Sequence, residues 1–244
     1  MIDLHFHCLP GLDDGPRNWN EAFALLRLAA AEGTSGVVAT PHVLRSPWEN
    51  LDAPLRQGLV DTLNARLRGR PRVFSGCEFY YTSEALDGLD LGPTGPLTRY
   101  PGGRHALVEF DAAHVPSTWP SLLHELKVHG VTPILAHPER NAVLARNPDL
   151  LDEIVERGAY AQITAGSLLG EFGPTAGAAC GEFFRRRLVH LVASDAHSVA
   201  HRPPRLKAAR SWVRKSWGET AEKGLFRVNP EAVLAGKRLP YRPG

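Results

Sequence analysis

Hydrophobic positions along this chain follow two rhythms. Short, nearly continuous apolar runs alternate with longer stretches in which apolar residues recur every three or four positions. The short runs, at 2–5, 36–40, 72–76, 106–110, 132–136, 159–163 and 188–194, read as strands. The longer ones, at 21–32, 51–68, 117–129, 148–157, 175–187 and 204–217, read as helices. The first helix has Asn18 or Asn20 as a candidate N-cap and Gly33 as a stop. Strands alternating with helices predict a parallel sheet. About seven such units with no evident linker predict an α/β barrel, closed or nearly so, with residues 1–244 as one domain. An open doubly wound sheet is the alternative. The Gly/Pro-rich stretch 94–103 reads as a surface loop, and the tail 226–243 as a short helix at 230–235 followed by coil.

Polar residues break the apolar runs at particular places. His5 and His7 flank Phe6 and precede Asp13 and Asp14; His42 follows Thr40 and Pro41; Glu78 follows Gly76 and Cys77. Glu109 closes the run Ala106, Leu107, Val108; His137 leads His137-Pro138-Glu139-Arg140; Asp195 and His197 follow Ser194. Nearly every cluster lies at or just after the C-terminal end of a strand, and in a parallel barrel those ends converge on one face, where active sites lie. An open sheet would spread them along an edge, so their placement favours the barrel.

Period-two geometry points His5 and His7 to one side of an extended segment, as a shared metal site requires. Glu78 and Glu109 are the most telling, because a carboxylate ending an apolar strand is costly to bury without a cation. Ligands of the His, Asp and Glu type without Cys suit Zn²⁺, Mn²⁺ or Fe ions at a reactive centre rather than a structural zinc site. The set exceeds what one ion can use, so two or three divalent ions are expected, with at least one bridging carboxylate. A cluster of that kind lowers the pKa of water held between its ions. The chemistry predicted is hydrolysis, with a phosphate ester as first choice of substrate.

Composition narrows the alternatives. A net charge of +2 with 22% charged residues, and no dominant Lys/Arg block, argues against a nucleic-acid binder. Arg185-Arg186-Arg187 reads as a helix end, where cations suit the dipole. No signal peptide is visible, and no apolar run approaches the ~20 residues of a membrane span. Cys8, Cys77 and Cys180 are too few and too scattered for a disulfide framework, which fits a reducing cytoplasm.

The same motifs carry a resemblance. The His-x-His near the N-terminus, Thr-Pro-His, strand-end glutamates, His-Pro-Glu-Arg and Ser-Asp-x-His resemble the PHP (polymerase and histidinol phosphatase) domain. The opening Met-Ile-Asp-Leu-His-Phe-His-Cys-Leu-Pro-Gly-Leu-Asp-Asp-Gly-Pro is similar to that of PHP-type protein-tyrosine phosphatases of bacterial capsule and exopolysaccharide loci. The likeness extends to about residue 236, through Arg202-Pro203-Pro204 and Asn229-Pro230.

This resemblance implies a distorted (β/α)7 barrel with a trinuclear site, manganese being the first expectation for the metal. It places His5, His7, Glu78 and Asp195 on one ion, Glu78, Glu109 and His137 on a second, and Asp14, His42 and His197 on a third. It gives Arg140 and Arg202 the phosphate. The substrate it implies is a phosphotyrosine-bearing protein, the tail of a tyrosine autokinase that controls polysaccharide export. It departs from the family in the residues around Glu78, namely Cys77 and Phe79-Tyr80-Tyr81, and in Gln162-Ile163-Thr164; both flank the site and bear on substrate preference.

Other readings compete. A small-molecule phosphatase, such as one for histidinol phosphate, would use the same metals; a regulatory metal-binding module would lack a ligand or an arginine, and none is missing. Cys180 and Arg186 have the Cys-x5-Arg spacing of cysteine-dependent tyrosine phosphatases, but the intervening Glu182 would repel a phosphate, so Cys180 reads as a helix-face residue. Tyr80 and Tyr81 read as packing residues or a stacking surface, and His201 as a neighbour of the site. His105, His114, His124, His129 and His190 match no motif and read as surface or helix residues.

Overall fold

A computed structural model describes residues 1–82 and 95–242. Its order is β1 (Ile2–Phe6), α1 (Trp19–Ala31), β2 (Gly36–Ala39), β3 (His42–Val43), α2 (Ala53–Leu67), β4 (Arg72–Ser75), β5 (Glu78–Tyr80), β6 (His105–Glu109) and α3 (Trp119–Val128). There follow β7 (Thr132–Ala136), a 3-10 turn (Pro138–Arg140), α4 (Ala142–Arg146), α5 (Pro148–Glu156), β8 (Tyr160–Thr164), α6 (Ala165–Leu168) and α7 (Gly173–Arg185). Last come β9 (Leu191–Ala193), α8 (Leu206–Lys223), a π turn (Gly224–Val228) and α9 (Asn229–Leu234). Asn18 caps α1 by accepting from Glu21 N, while Glu21 Oε2 accepts from Arg17 N, so two orphan donors at the helix entry are satisfied. Helix α8 breaks where the sequence ends its apolar rhythm: Gly218, at φ 87°, interrupts it before the chain turns helical again.

All the paired strands are parallel. One sheet runs β1-β2-β4 and the other β3-β5-β6-β7-β8-β9. The expected strands 36–40 and 72–76 appear as β2 and β4, and each is followed after a short break by an unexpected strand, β3 or β5; the breaks carry the chain from the first sheet to the second. Pro41 has no N–H to give the ladder, so β2 stops at Ala39 and β3 starts at His42. The second break needs Gly76: a Cβ there would lie 2.7 Å from Val38 Cγ1 and 3.0 Å from Tyr100 Cε1. Beyond the breaks His42 and Glu78 are register partners, so the sheet change itself sets these two side by side. The last and first strands also meet: Asp195 N donates to His5 O at 2.9 Å, and His7 N to Ala196 O at 2.9 Å.

Leu4, Val38, Leu107, Ile134 and Leu191 come from both sheets and form one buried cluster with Val233 of α9 and Leu239 of the tail. The two sheets thus share one apolar cluster. Larger clusters lie outside, one under α1 and α2, the other under α3, α5, α7 and α8.

Two expectations need correction. Of the stretch expected as a surface loop, Thr94 lies outside the described residues, as does Pro243 of the tail; but Leu97 and Tyr100 are buried. Tyr100 Oη donates to Leu4 O at 2.6 Å, and the buried Arg56 donates to Pro96 O and Thr98 Oγ1 at 2.9 and 2.7 Å. Its Gly and Pro content marked the turn, while its two large apolar residues decided the packing. His105, the first residue of β6, and His190, just before β9, are buried, not on the surface; burial lowers each imidazole to about 4, so both are buried neutral. His114, His124 and His129 are exposed as expected, and Arg185 ends α7.

Candidate metal centre

Nine side chains converge on one side of the sheets; Glu109 ends β6, whereas Glu78, expected at a strand end, opens the short β5 as His42 opens β3. Four sets of them bring ligand atoms within 4.8 Å of one another: His7, Asp14, His42, His197; His5, His137, Asp195; His5, His7, Glu78; and His42, Glu78, Glu109. Together the sets contain His5, His7, Asp14, His42, Glu78, Glu109, His137, Asp195 and His197 and, among the described residues, no tenth. The residues singled out in the sequence are thus all brought together. The groups overlap through His5, His7, His42 and Glu78, and they differ from the three-ion division implied by the resemblance: His137 groups with His5 and Asp195, and His42 with Glu78 and Glu109 as well as with Asp14 and His197.

Glu78 is the hub. Its Oε1 lies 2.8 Å from His137 Nε2 and 3.3 Å from His5 Nε2, and its Oε2 lies 2.9 Å from His42 Nδ1 and 3.4 Å from His7 Nε2. Burial opposes charge on Glu78, but His5 and His42 outweigh it and hold the carboxyl well below its usual range. Glu109 goes the other way: burial, and then the charge of Glu78, push it up to about 8. Two such carboxylates side by side call for added positive charge. Arg45 supplies part of it, its Nη1 lying 2.7 and 2.9 Å from the two Glu109 oxygens.

The donor set fits divalent cations. Glu78 Oε2, Asp195 Oδ1, His42 Nδ1 and His197 Nε2 are buried without a hydrogen-bond partner, although each has a candidate ligand near it. Orphaned atoms of both signs pointing at common positions are what a cation would satisfy. In His5, His7 and His197 the far ring nitrogen is tied down, as metal-binding histidines require. His7 Nδ1 donates to Asp13 Oδ2 at 2.7 Å, and His197 Nδ1 to Asp195 O at 2.9 Å, leaving Nε2 free in each ring. The Gln162 amide lies 2.9 Å from His5 Nδ1, and its Oε1 is otherwise unpartnered; with that oxygen toward the ring, Nδ1 keeps the proton and Nε2 offers its lone pair.

Asp13 is therefore a positioning residue that the sequence only hinted at through the Asp13-Asp14 pair. Besides holding His7, it accepts from Gly15 N and His42 N, tying three segments to one carboxylate. Asp13→Asn is expected to weaken metal binding by ~10–100-fold, the usual cost of losing such a partner. Equilibrium dialysis with Mn²⁺ measures it; wild-type affinity would mean that His7 orients itself.

His137 and Asp195 lie at strand exits with φ of 31° and 54°, in the left-handed region that L-residues avoid. Those turns aim their side chains back over the centre. The turn after His137 is pinned by Glu139, whose Oε1 accepts from Thr164 N, Thr164 Oγ1 and Ser167 Oγ at 2.9, 2.5 and 2.7 Å. Arg140 follows directly.

Arg140 and Arg202 sit together at the rim. Both donate to Asp195 Oδ2, Arg140 from Nη1 at 2.5 Å and Arg202 from Nη2. Their guanidinium carbons lie 4.4 and 5.9 Å from the centroid of the Phe172 ring, a support that no sequence signal indicated. Asp195 thus faces two ways: Oδ1 lies 3.2 and 3.5 Å from the Nε2 atoms of His5 and His7, Oδ2 toward both arginines. Burial opposes its charge, but His5 and Arg202 hold it well below the carboxylate range. Tyr81 is core, donating to Thr118 Oγ1 at 2.8 Å, whereas the half-buried Tyr80 bonds Asp111 Oδ2 at 2.9 Å under the Arg45 guanidinium. His201 is exposed.

A family profile described as capsular polysaccharide synthesis, CpsB/CapC, matches residues 1–235. The tyrosine-protein phosphatase YwqE of Bacillus subtilis is 35% identical over 246 residues, covering 100% of this chain and 95% of that protein. A solved structure, from work on YwqE of Bacillus subtilis and CpsB of Streptococcus pneumoniae as metal-dependent tyrosine phosphatases, superposes with a TM-score of 0.89 at 34% identity, covering 100% of this chain and 99% of that one. The histidinol phosphate phosphatase of Lactococcus lactis shares the fold, with a TM-score of 0.58 at 13% identity over 89% of this chain and 94% of that one.

Proposed function

The chain belongs to the CpsB/CapC capsular polysaccharide synthesis family, and from that premise we propose that it is a metal-dependent phosphatase acting on phosphotyrosine in proteins. The observation that carries the reading is the two-faced Asp195, which joins a cluster of orphaned ligands to a pair of arginines. Ligands alone would serve storage or structure. Two planar cations held side by side at the rim are the groups that grip a phosphate ester.

His5, His7, Glu78 and Asp195 would hold one divalent ion, Glu78, Glu109 and His137 a second, and Asp14, His42 and His197 a third, with Mn²⁺ favoured over Fe or Zn. When bound, the ions would activate water and neutralise the phosphoryl oxygens. Arg140 and Arg202 keep part of their donor set turned outward, with side chains 25% and 27% exposed, and would hold the non-bridging oxygens so that phosphorus faces the centre. Phe172 limits their swing. A phenolate leaving group, with a pKa of about 10, needs less protonation than an alkoxide, so a tyrosine ester suits a site whose carboxylates are engaged with histidines and arginines.

The protein substrate we propose is the phosphorylated tail of a tyrosine autokinase that governs capsule or exopolysaccharide synthesis. Three buried free cysteines support a reducing, cytoplasmic setting. Among the described residues no helix is long and apolar enough to cross a membrane. We read the two sheets as arcs of one distorted (β/α)7 barrel formed by residues 1–244, a reading supported by the hydrogen bonds between the start of the chain and the exit of β9.

Chelation is expected to abolish p-nitrophenyl phosphate hydrolysis, and thiol alkylation of the folded protein to leave it unchanged. Cys8, Cys77 and Cys180 are buried; burial pushes the Cys77 thiol up to about 11 and the other two further. Cys180→Ser should retain full activity. Loss of turnover in that variant with metal content unchanged would move the chemistry to the thiol and end the metal reading.

A further inference from the structure

We propose that the end of the sheet opposite the metal centre carries a binding site for a small polyphosphate anion. A cavity of about 650 Å³ opens where β6 to β9 begin: Arg104 precedes β6, Thr132 and Pro133 start β7, Tyr160 starts β8 and His190 precedes β9. The metal centre lies at the far ends of the same strands. At ~3.3 Å per residue, the five residues of β7 alone separate the two by roughly 16 Å.

The lining is strongly one-sided. Arg104, Lys127, Arg157, Arg187, Arg238 and Arg242 face it against a single carboxylate, Glu156. The whole chain sums to +2, so this cavity holds +5 and the rest of the molecule −3. Among the described residues only Arg157 of the six has a salt bridge, to Glu153. Nε of Arg104 is buried with no hydrogen-bond partner. Five like charges without a salt bridge around one hollow repel each other. An anion at the centre would convert that repulsion into attraction.

Shape and donor type select the anion. The volume falls within the ~300–1,000 Å³ of small-molecule sites, and the site is concave, unlike the extended face that a polymer needs. Guanidinium forks match phosphate oxygens in pairs, and several forks suit more than one phosphate. The floor is firm: the Tyr160 and His190 rings pack at 5.1 Å, and His190 is neutral because burial lowers it to about 4.

Isothermal titration of the Mn²⁺-loaded protein, in excess Mn²⁺ and low salt, with the non-hydrolysable adenosine 5′-(α,β-methylene)diphosphate tests the site. Saturable one-site binding is expected, and it should persist in the Arg140→Ala/Arg202→Ala variant. It should weaken at least about tenfold in Arg238→Gln/Arg242→Gln and in Lys127→Gln/Arg187→Gln, as lost charge-assisted contacts require. These four residues are exposed, so both variants should fold and keep wild-type metal content and p-nitrophenyl phosphate turnover. Absence of saturable binding to the wild type would overturn the proposal. So would binding that is lost with Arg140 and Arg202 but kept in both opposite-face variants, since the probe would then occupy the phosphatase centre. Tighter binding of a short oligonucleotide, lost in the same opposite-face variants, would replace the small anion with a polymer and equally overturn it.

Discussion

Exchange of Glu78 for Gln is expected to lower kcat/KM for p-nitrophenyl phosphate by more than about 10³-fold, or roughly 4 kcal/mol. It should also remove the rise in Tm that Mn²⁺ confers on the wild type. Glu78 has four imidazole nitrogens within 3.4 Å and is fully buried. Its two oxygens face different histidines, so under the proposed assignment it is the carboxylate that would touch more than one ion. An amide keeps the size but offers one neutral acceptor and a donor that would point at a cation. Partners that merely orient a ligand cost ~10–100-fold when lost, and a shared ligand should cost more. A metal that binds only the folded state stabilises it by about 2.7 kcal/mol at 100 times Kd, so a thermal melt with and without Mn²⁺ reads the loss independently of turnover. A variant with unchanged metal-dependent Tm and near-normal turnover would displace Glu78 from the centre.

Why this site was legible and other features were not has a physical answer. A carboxylate at the end of an apolar run must be compensated, so Glu78 and Glu109 announced a cation before any geometry was known. Strand ends were visible because apolar runs stop there, and a parallel arrangement brings those ends together. The sheet change was not visible. β3 and β5 contain only two and three residues, too short for any periodicity, and the breaks rest on Pro41 and on the tight approach of Val38 to Gly76. The short helices α4 and α6 escaped for the same reason.

Residues that act through tertiary contact were equally hidden. Arg45 follows His42 by three positions, yet its task comes from Glu109, two strands away in the sheet. Phe172 reads as an ordinary apolar residue until both guanidinium groups are seen above it. His105 and His190 looked like surface residues because a lone histidine carries no signal of burial; the strands beside them decided it. Asp13 and Asp14 are adjacent, and only the fold separates their tasks, one holding the back of His7 and the other facing His42 and His197.

Arg202→Ala is expected to lower kcat/KM for phosphotyrosine and p-nitrophenyl phosphate by roughly 10²-fold or more, about 3 kcal/mol, with folding and metal content nearly intact. The arginine lies outside the ligand sets, and its contacts to the centre run through Asp195 Oδ2, the oxygen turned away from the histidines, and more loosely through Asp14 Oδ2 at 3.8 Å. Its loss therefore takes away a donor to the phosphate without taking away a ligand. Arg140→Ala should behave alike, since it shares the same oxygen and the same aromatic support. Because the two converge on one carboxylate and one phosphate, their effects should not add: the double variant should lose less than the product of the single losses. Arg202→Lys should recover little, because an ammonium is a point charge and cannot present two parallel donors over Phe172. Near wild-type efficiency in both Ala variants would remove the phosphate clamp, and with it the observation on which the phosphatase reading stands.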